Sequence, residues 1–455
     1  MRPASVVELV HDRLAGDAQA EAEACRDVDA LMSGDSERDR WFMPRPEGDR
    51  RGDAERLRRL AGTPLLRLIV EETAQHLVCD GVTSDSGRDT SAMWSVFERN
   101  GFPSRQGSLY SAALAYGEAY MLALPGLVPG QDTTSAALSM HSPKTLHVTY
   151  GDRAEDEWPL YALRVIPQPS GPAYRLIDEE SVHYLATEDG RLTYVESRPH
   201  GLGVCPAIRY APNADIDGRS VGDPRRFEVP ARRHAKTTHD RLMAQHYNSW
   251  KVRTATGLEE PGTAEEAQRT RATLTNGDML IGGEGVTFGT LPETSLDGLL
   301  KAEDADLTTL AAIAQKPVWS LAGGQLVNLS ADALAEARST ERLKKESIQR
   351  ALSRSHAQAL RLASFIEGRE DDASDFGLHA NWRDDEARSL SQAADALGKI
   401  AQQLGVPASL LWDMIPGVSH TTAEEWRAYA AEHPAVDDVL AAHLTSQDAF
   451  SGAVG

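Results

Sequence analysis

The sequence predicts an α+β fold, mainly helical, in which one long helix sets the scale of an elongated subunit. Three observations predict it. From Ala331 to Glu367 the chain contains no Gly or Pro, and Gly368 closes the run. Ser330 is placed to cap the first turn, Asp332 sits where the helix dipole favours an anion, and Gly368 suits the left-handed residue after the last turn. At 1.5 Å per residue such a helix would be roughly 57 Å long, whereas a compact chain of this length has a radius of gyration of only about 22 Å. Second, β-branched and aromatic runs separated by Gly, Pro and Asp fill 143–211. Third, apolar residues at helical spacing occupy most of the remaining chain.

In chain order, residues 1–60 read as polar helices over Val6–Ala15 and Ala18–Met32, then a charged surface connector through Arg59. Leu60–Val78 carries an apolar helix pattern, which Cys79-Asp80-Gly81-Val82 ends. Helices follow over Ser91–Asn100, with Trp94 and Phe97 on one face, and over Ser104–Tyr116; Gly117-Glu118-Ala119-Tyr120-Met121-Leu122 then opens a strand. Strands are expected over Thr145–Tyr150, Pro159–Ile166, Tyr174–Ile177, Val182–Ala186, Leu192–Glu196 and Cys205–Tyr210, with Leu160–Val165 central. A helix starts at Pro230, a residue tolerated in a first turn, and runs to about Trp250. Its histidines, His234, His239 and His246, lack the i,i+4 spacing of a metal pair, and no metal or other cofactor is expected. Glycines crowd 253–295, where Met279–Ile281 and Val286–Phe288 read as short strands. A helix over Leu296–Gln315 breaks at Lys316-Pro317. Beyond the long helix, helical patterns cover Asp384–Leu404, Pro407–Met414, Thr421–Glu432 and Val436–Leu444.

The long helix changes character midway. From Ile348 onward, Leu352, Ala359, Leu362, Ala363 and Ile366 form a stripe that packs on a core. Before Ile348, Glu341 and Lys345 occupy the same stripe, and the segment is polar on nearly every face. Such a half is either a solvated helix end or the lining of a wet cavity built by several subunits.

Net charge is −21, from 68 acidic and 47 basic residues. That balance argues against tight nucleic-acid binding, which needs a basic face, but suits a wall along which DNA slides. The imbalance is uneven: Gly368–Gly455 carries a net of −10, while Ser330–Glu367 carries +2. Paired charges on a solvated face would give the same local balance. No apolar run approaches the ~20 residues of a membrane span. Cys25, Cys79 and Cys205 are widely spaced and odd in number, which predicts buried thiols in a reducing compartment. The chain has no Gly-x-x-x-x-Gly-Lys-[Ser/Thr], His-Glu-x-x-His, Gly-x-Ser-x-Gly or Cys-x-x-Cys motif, so it is not expected to be an enzyme. The acidic pairs Asp371-Asp372, Asp384-Asp385 and Asp437-Asp438 are neighbours that point apart on a helix.

The helix break at Lys316-Pro317, the Gly-containing loop, Asn328-Leu-Ser330-Ala-Asp-Ala-Leu334 and the long helix after it together resemble the core of tailed-phage portal proteins. Asp80-Gly81, Asn100-Gly101-Phe102 and Tyr116-Gly117-Glu118-Ala119-Tyr120 resemble the wing of siphophage portals. His200-Gly-Leu-Gly-Val-Cys-Pro206 is similar to the strand before the first stem helix. Asn381-Trp-Arg-Asp384, Lys399 and Leu404-Gly-Val-Pro407 resemble the crown of actinobacterial-phage portals. The resemblance implies an N-terminal arm and wing over 1–225 and stem helices over 226–252 and 296–316. It further implies a clip over 253–295, a tunnel loop over 317–330, the long helix over 331–368 and a crown over 369–455. It implies a ring, typically a dodecamer, at one capsid vertex of the virion, assembled in the host cytoplasm. Double-stranded DNA would pass through it during packaging and ejection, and the ring would join head to tail. Partners would be the terminase motor, a head–tail adaptor, and the major capsid and scaffolding proteins, with no membrane.

On that reading the uncharged residues Val318, Trp319, Ser320, Leu321, Ala322, Gly323, Gly324, Gln325, Leu326, Val327, Asn328 and Leu329 form a soft constriction. Arg338, Arg342, Lys344 and Lys345 are the expected phosphate-near cations. A helical cytosolic scaffold or adaptor without a channel, and an unrecognised hydrolase using the α+β region, are the alternatives.

Overall fold

The computed structural model describes residues 1–34, 53–127, 134–249, 253–256, 287–290, 295–322, 331–383, 390–418 and 420–433. They fall into two compact units. One is built from 1–32, 66–226 and 329–455, the other from 33–65 and 227–328.

The first unit is organised by a sheet whose residues alternate between two cores. Five antiparallel strands lie in chain order: Leu146–Thr149, Tyr161–Ile166, Ala173–Ile177, Ser181–Glu188 and Arg191–Pro199. The middle strand is therefore Ala173–Ile177, not the run at 160–165. Successive side chains point to opposite faces of a strand. Ala162, Ile177 and Val182 accordingly meet Tyr120, Leu122 and Ala207 on one face. Leu163, Leu176 and Leu185 meet Val6, Val10, Leu14 and Ala18 on the other. The N-terminal helices, expected to be polar, thus bury one face in this core. They run as Pro3–Leu9, a π turn at Val10–Leu14, and Ala15–Ser33, without the expected break before Ala18. Gly16 keeps helical geometry and needs no special backbone angle.

Beside it lies a three-stranded sheet in the order Thr134–His141, Ala119–Leu127, Ala207–Tyr210. The first of these strands was not expected. Asn100, which ends helix Ser91–Arg99, holds its edge: Nδ2 donates to the Ala136 carbonyl at 3.0 Å, and Oδ1 accepts from the Leu138 amide at 2.9 Å. Gly117 stands at φ +92°, and a Cβ there would meet the Ser220 carbonyl oxygen at 2.6 Å. Gly222 is tighter, since its Cβ would lie 2.0 Å from the Ala115 carbonyl oxygen. Cys79–Ser84, expected only to end a helix, is a strand paired antiparallel with Leu378–Trp382. The helix before it is shorter than the expected 60–78 and spans Leu65–Gln75.

The long helix spans Ala331–Ile366, about 54 Å at the standard rise. Ile348, Leu352, Ala359, Leu360, Leu362 and Ala363 are buried. They pack it against helix Ser91–Arg99, both strands of the 119–141 hairpin, Ala207–Tyr210 and Leu378–Trp382. After a short helix at Glu370–Ala373, the chain continues through Leu390–Leu404, a 3-10 turn at Ala408–Met414 and His420–Glu432. Residues 384–389 of the helix expected over Asp384–Leu404, and the whole helix expected over Val436–Leu444, lie outside the described residues.

The second unit contains helices Asp53–Ala61, Glu228–Ser249, Asp297–Ala314 and Val318–Ala322. It also holds the antiparallel pair Arg253–Thr256 and Thr287–Thr290. Part of the expected connector is therefore helical. The two longer helices are antiparallel and zipped by charge. Asp306 accepts from Arg233 Nε and Thr237 Oγ1, both at 2.6 Å. Glu303 accepts from Arg241 Nε at 2.6 Å and Thr238 Oγ1 at 2.8 Å. Trp250, the connector 35–52, the glycine-rich run 257–286 with Met279–Ile281 and Val286, and 291–294 lie outside the described residues.

Candidate functional site

The segments marked by the sequence fall in different units, and each has its own local logic. In the second unit, helix Asp297–Ala314 stops because Gln315 adopts a left-handed conformation at φ +57°. The Lys316 amide then donates to the Ala311 carbonyl at 2.9 Å, closing the last turn before Pro317. Val318, Trp319, Ser320, Leu321 and Ala322 follow as one short helix rather than open loop. Ser320 donates from Oγ to the Pro317 carbonyl at 2.9 Å. Leu321 is buried, while Val318 is exposed. Gly323, Gly324, Gln325, Leu326, Val327, Asn328 and Leu329 lie outside the described residues.

In the first unit the four expected cations differ in kind. Arg338 is exposed. Arg342 is exposed too and faces Glu346 at 3.7 Å, an i,i+4 pair. Lys345 is half-buried. Lys344 is drawn into the fold: its Nζ donates to Asp223 Oδ2 at 3.0 Å, and Asp223 is fully buried. Asn213 Nδ2 at 3.1 Å and Arg226 Nη1 at 3.3 Å serve the other carboxylate oxygen. Lys344 therefore anchors the entry of the long helix. Replacing it with Met should lower stability in urea melts by about 1–2 kcal/mol, because two donors remain on Asp223. No change in the midpoint would remove that assignment.

The stripe positions that the sequence left polar have a partner surface. One ligand atom each of Glu72, His76 and Glu341 lies within 4.8 Å of the others. Glu341 stands where the apolar stripe would continue, and it meets Glu72 on the helix Leu65–Gln75 and His76 in the turn that follows it. The histidines considered from sequence sit elsewhere: His234 is buried near Glu303 at 3.8 Å, and burial holds its pKa down.

Further along, His356 is the hub of the unit. It is fully buried, and Tyr110, Tyr210, Phe97, Phe102 and Trp382 surround its ring. Tyr110 Oη lies 2.8 Å from Nε2, and Tyr210 Oη lies 3.1 Å from Nδ1. Tyr110 also reaches Gln106 Oε1 at 3.3 Å. One arrangement satisfies all of these groups: Nε2–H donates to Tyr110, Tyr110 donates to Gln106, and Tyr210 donates to Nδ1. Burial pushes the imidazole pKa down to about 3, so the ring is neutral. Glu118, in the Gly-Glu-Ala-Tyr run, makes a second polar hub. It accepts from Arg209 Nε at 2.6 Å, Arg153 Nη1 at 3.1 Å and Tyr120 Oη at 2.8 Å. The sequence signal differs between the hubs: Glu118 stands in a mostly apolar run, whereas His356 falls among polar neighbours but at helical spacing with Leu352, Ala359 and Ala363 on the buried stripe, and the partners of both come from distant segments. These groups form rigid supports, and desolvation leaves the buried thiols unreactive, with Cys25 and Cys79 pushed up to about 12.

Residues 37–434 match the family model described as phage portal protein, SPP1 Gp6-like. The chain belongs to this family. As a portal protein it stands at a capsid vertex, in a family whose role is structural. Solved structures similar to this portal protein include chains of gene transfer agent particles. A chain in the virion of a native particle aligns at 14% identity over 80% of this chain and 90% of that one, with a TM-score of 0.40. One from the neck of an empty particle, computed with C6 symmetry, aligns at 16% identity over 79% and 90%, with a TM-score of 0.41. One from the neck of a native particle, computed with C12 symmetry, aligns at 14% over 78% and 89%, also at 0.41. A comparison with curated proteins finds no match. Among the described residues, no helix is long and apolar enough to cross a membrane.

Proposed function

We propose that this portal protein closes into a ring of twelve copies whose central channel passes double-stranded DNA during packaging, retention and ejection. The observation that carries the reading is the family match across 37–434. On this reading the phage is of the siphophage, actinobacterial type, and the ring is assembled in the host cytoplasm and carried in the virion. The helices Glu228–Ser249 and Asp297–Ala314 serve as stem, 253–295 as clip, 317–330 as tunnel loop and 369–455 as crown. The clip face meets the terminase motor and later a head–tail adaptor, and the outer surface meets the major capsid and scaffolding proteins. The motor supplies ATP hydrolysis, since the chain carries no P-loop.

Among the four candidate cations, Arg338 and Arg342 are the best placed to approach phosphate, because both are exposed, whereas Lys344 is held by Asp223. Lys345 is half-buried and would contribute at longer range. Exposed contacts of ~0.2–1 kcal/mol each, repeated around a ring, retain DNA without trapping it. Reversing both arginines to Glu should leave rings intact in negative-stain images while lowering the genome content of virions. Wild-type genome content in the double variant would remove these residues from the channel. A wild-type protein without closed rings would remove the channel itself.

A further inference from the structure

The long helix carries a second stripe, opposite the one that is buried. At three- and four-residue steps it reads Leu343, Ser347, Arg350, Arg354, Ala357, Arg361 and Phe365. None of the seven is acidic, in a chain whose acids outnumber its bases by 21. From Leu343 to Phe365 the stripe spans about 33 Å. Its ends are large apolar side chains left in the open, Leu343 at 58% and Phe365 at 50% exposure. Its centre is basic. Arg350 and Arg354 are exposed, and among the described residues no carboxylate pairs with either. Among the described residues, Arg350 Nε donates to the carbonyl of Glu346 on its own helix, at 3.2 Å. Arg361 is already committed: it donates to Glu157 at 2.9 Å and lies over the Phe376 ring at 4.1 Å.

Two unspent arginines between exposed Leu and Phe anchors have the composition of a protein–protein contact, where Arg and aromatic residues are enriched. A phosphate backbone would use the cations but leave Leu343 and Phe365 without apolar partners. The surface most complementary to the stripe is acidic, and this chain offers one in quantity. We propose that the outward stripe of the long helix is a subunit interface that seats an acidic surface of a neighbouring copy. The inference rests on the ring reading. It adds that the contact is heterologous, since a basic stripe on one copy meets an acidic patch located elsewhere on the next, as closure of a ring requires.

The test uses the full-length chain in two variants, R350E/R354E and A357E, the latter placing one anion at the half-buried centre of the stripe. Circular dichroism and thermal melts establish that each subunit is folded. Sedimentation and negative-stain imaging measure ring formation across concentration and salt. Both variants should need at least about tenfold more protein to form rings than the wild type, and wild-type rings should weaken as salt rises. Rings formed by folded variants at wild-type concentration would overturn the assignment. Normal rings that have lost affinity for duplex DNA would also overturn it, naming nucleic acid as the partner instead. A wild type that never closes into rings would show up before any variant is made, and would end the channel reading together with this one.

Discussion

Replacing His356 with Ala should destabilise the first unit by about 3–5 kcal/mol, the largest loss expected from any single change in the long helix. Three effects add. A buried aromatic-sized ring is lost, a cavity opens among Phe97, Phe102 and Trp382, and the Tyr210 hydroxyl is left in the core with only a Met121 sulfur at 3.8 Å. Tyr110 loses less, because Gln106 still accepts from it. Phe at 356 fills much of the space but offers no nitrogen, so it should fall between Ala and wild type. Urea melts of the three proteins measure this, and equal midpoints would show that the hub carries no load.

The same residue makes stability depend on pH. In the unfolded chain the imidazole titrates near its ordinary value of 6.5, but in the fold it does so at about 3. Between those values the unfolded chain binds a proton that the native one refuses. His356 thus costs nothing above pH 6.5, and its share of stability falls by about 1.4 kcal/mol per pH unit as pH drops towards 3. The variant with Phe should lack this one-proton component, so the two stability–pH curves should converge on acidification. Parallel curves would mean that the ring takes up its proton as readily in the native state as in the unfolded chain.

Removing the Glu118 carboxylate should cost about 3–5 kcal/mol, the penalty for breaking a buried ion pair from one side. In Glu118→Leu the Arg209 guanidinium keeps its bond to the Gly218 carbonyl at 2.7 Å, but its Nε faces apolar surface. Tyr120, fully buried, loses its acceptor. Glu118→Gln should be milder, since one oxygen still accepts while the amide faces a donor. Adding Arg209→Met to Glu118→Leu should recover part of the loss, because the stranded charge goes too. A double variant as weak as the sum of the singles would place the two residues in separate roles.

Periodicity made much of this architecture legible. The long helix, expected over 331–367, is seen at Ala331–Ile366, and its buried stripe starts at Ile348 as the pattern indicated. The five strands between 146 and 199 stand near the runs that suggested them. Pairing at long range was not legible. Cys79–Ser84 contains Asp80-Gly81, which reads as a turn, and its partner strand lies about 300 residues away, as the Thr83–Asn381 contact at a separation of 298 shows. Thr134–His141 was hidden by small and polar residues and is held by Asn100 from outside the strand. Charge was the other limit. A sequence shows that Lys344 is basic, but only the fold shows that Asp223 lies beside it.

The pair Glu228–Ser249 and Asp297–Ala314 is joined by two carboxylates, each gripped by an arginine and a threonine. Apolar ridges tolerate slippage, because one methyl resembles the next. A carboxylate matched to a specific donor pair does not, since sliding by one turn would set Asp306 against the wrong neighbours. The two rods are therefore keyed, like a bolt whose teeth admit a single depth, and a pull along their axes meets a stepwise barrier rather than smooth friction. Because hydrating free ions becomes less favourable on warming, that key should hold better in heat than a greasy seam of equal strength.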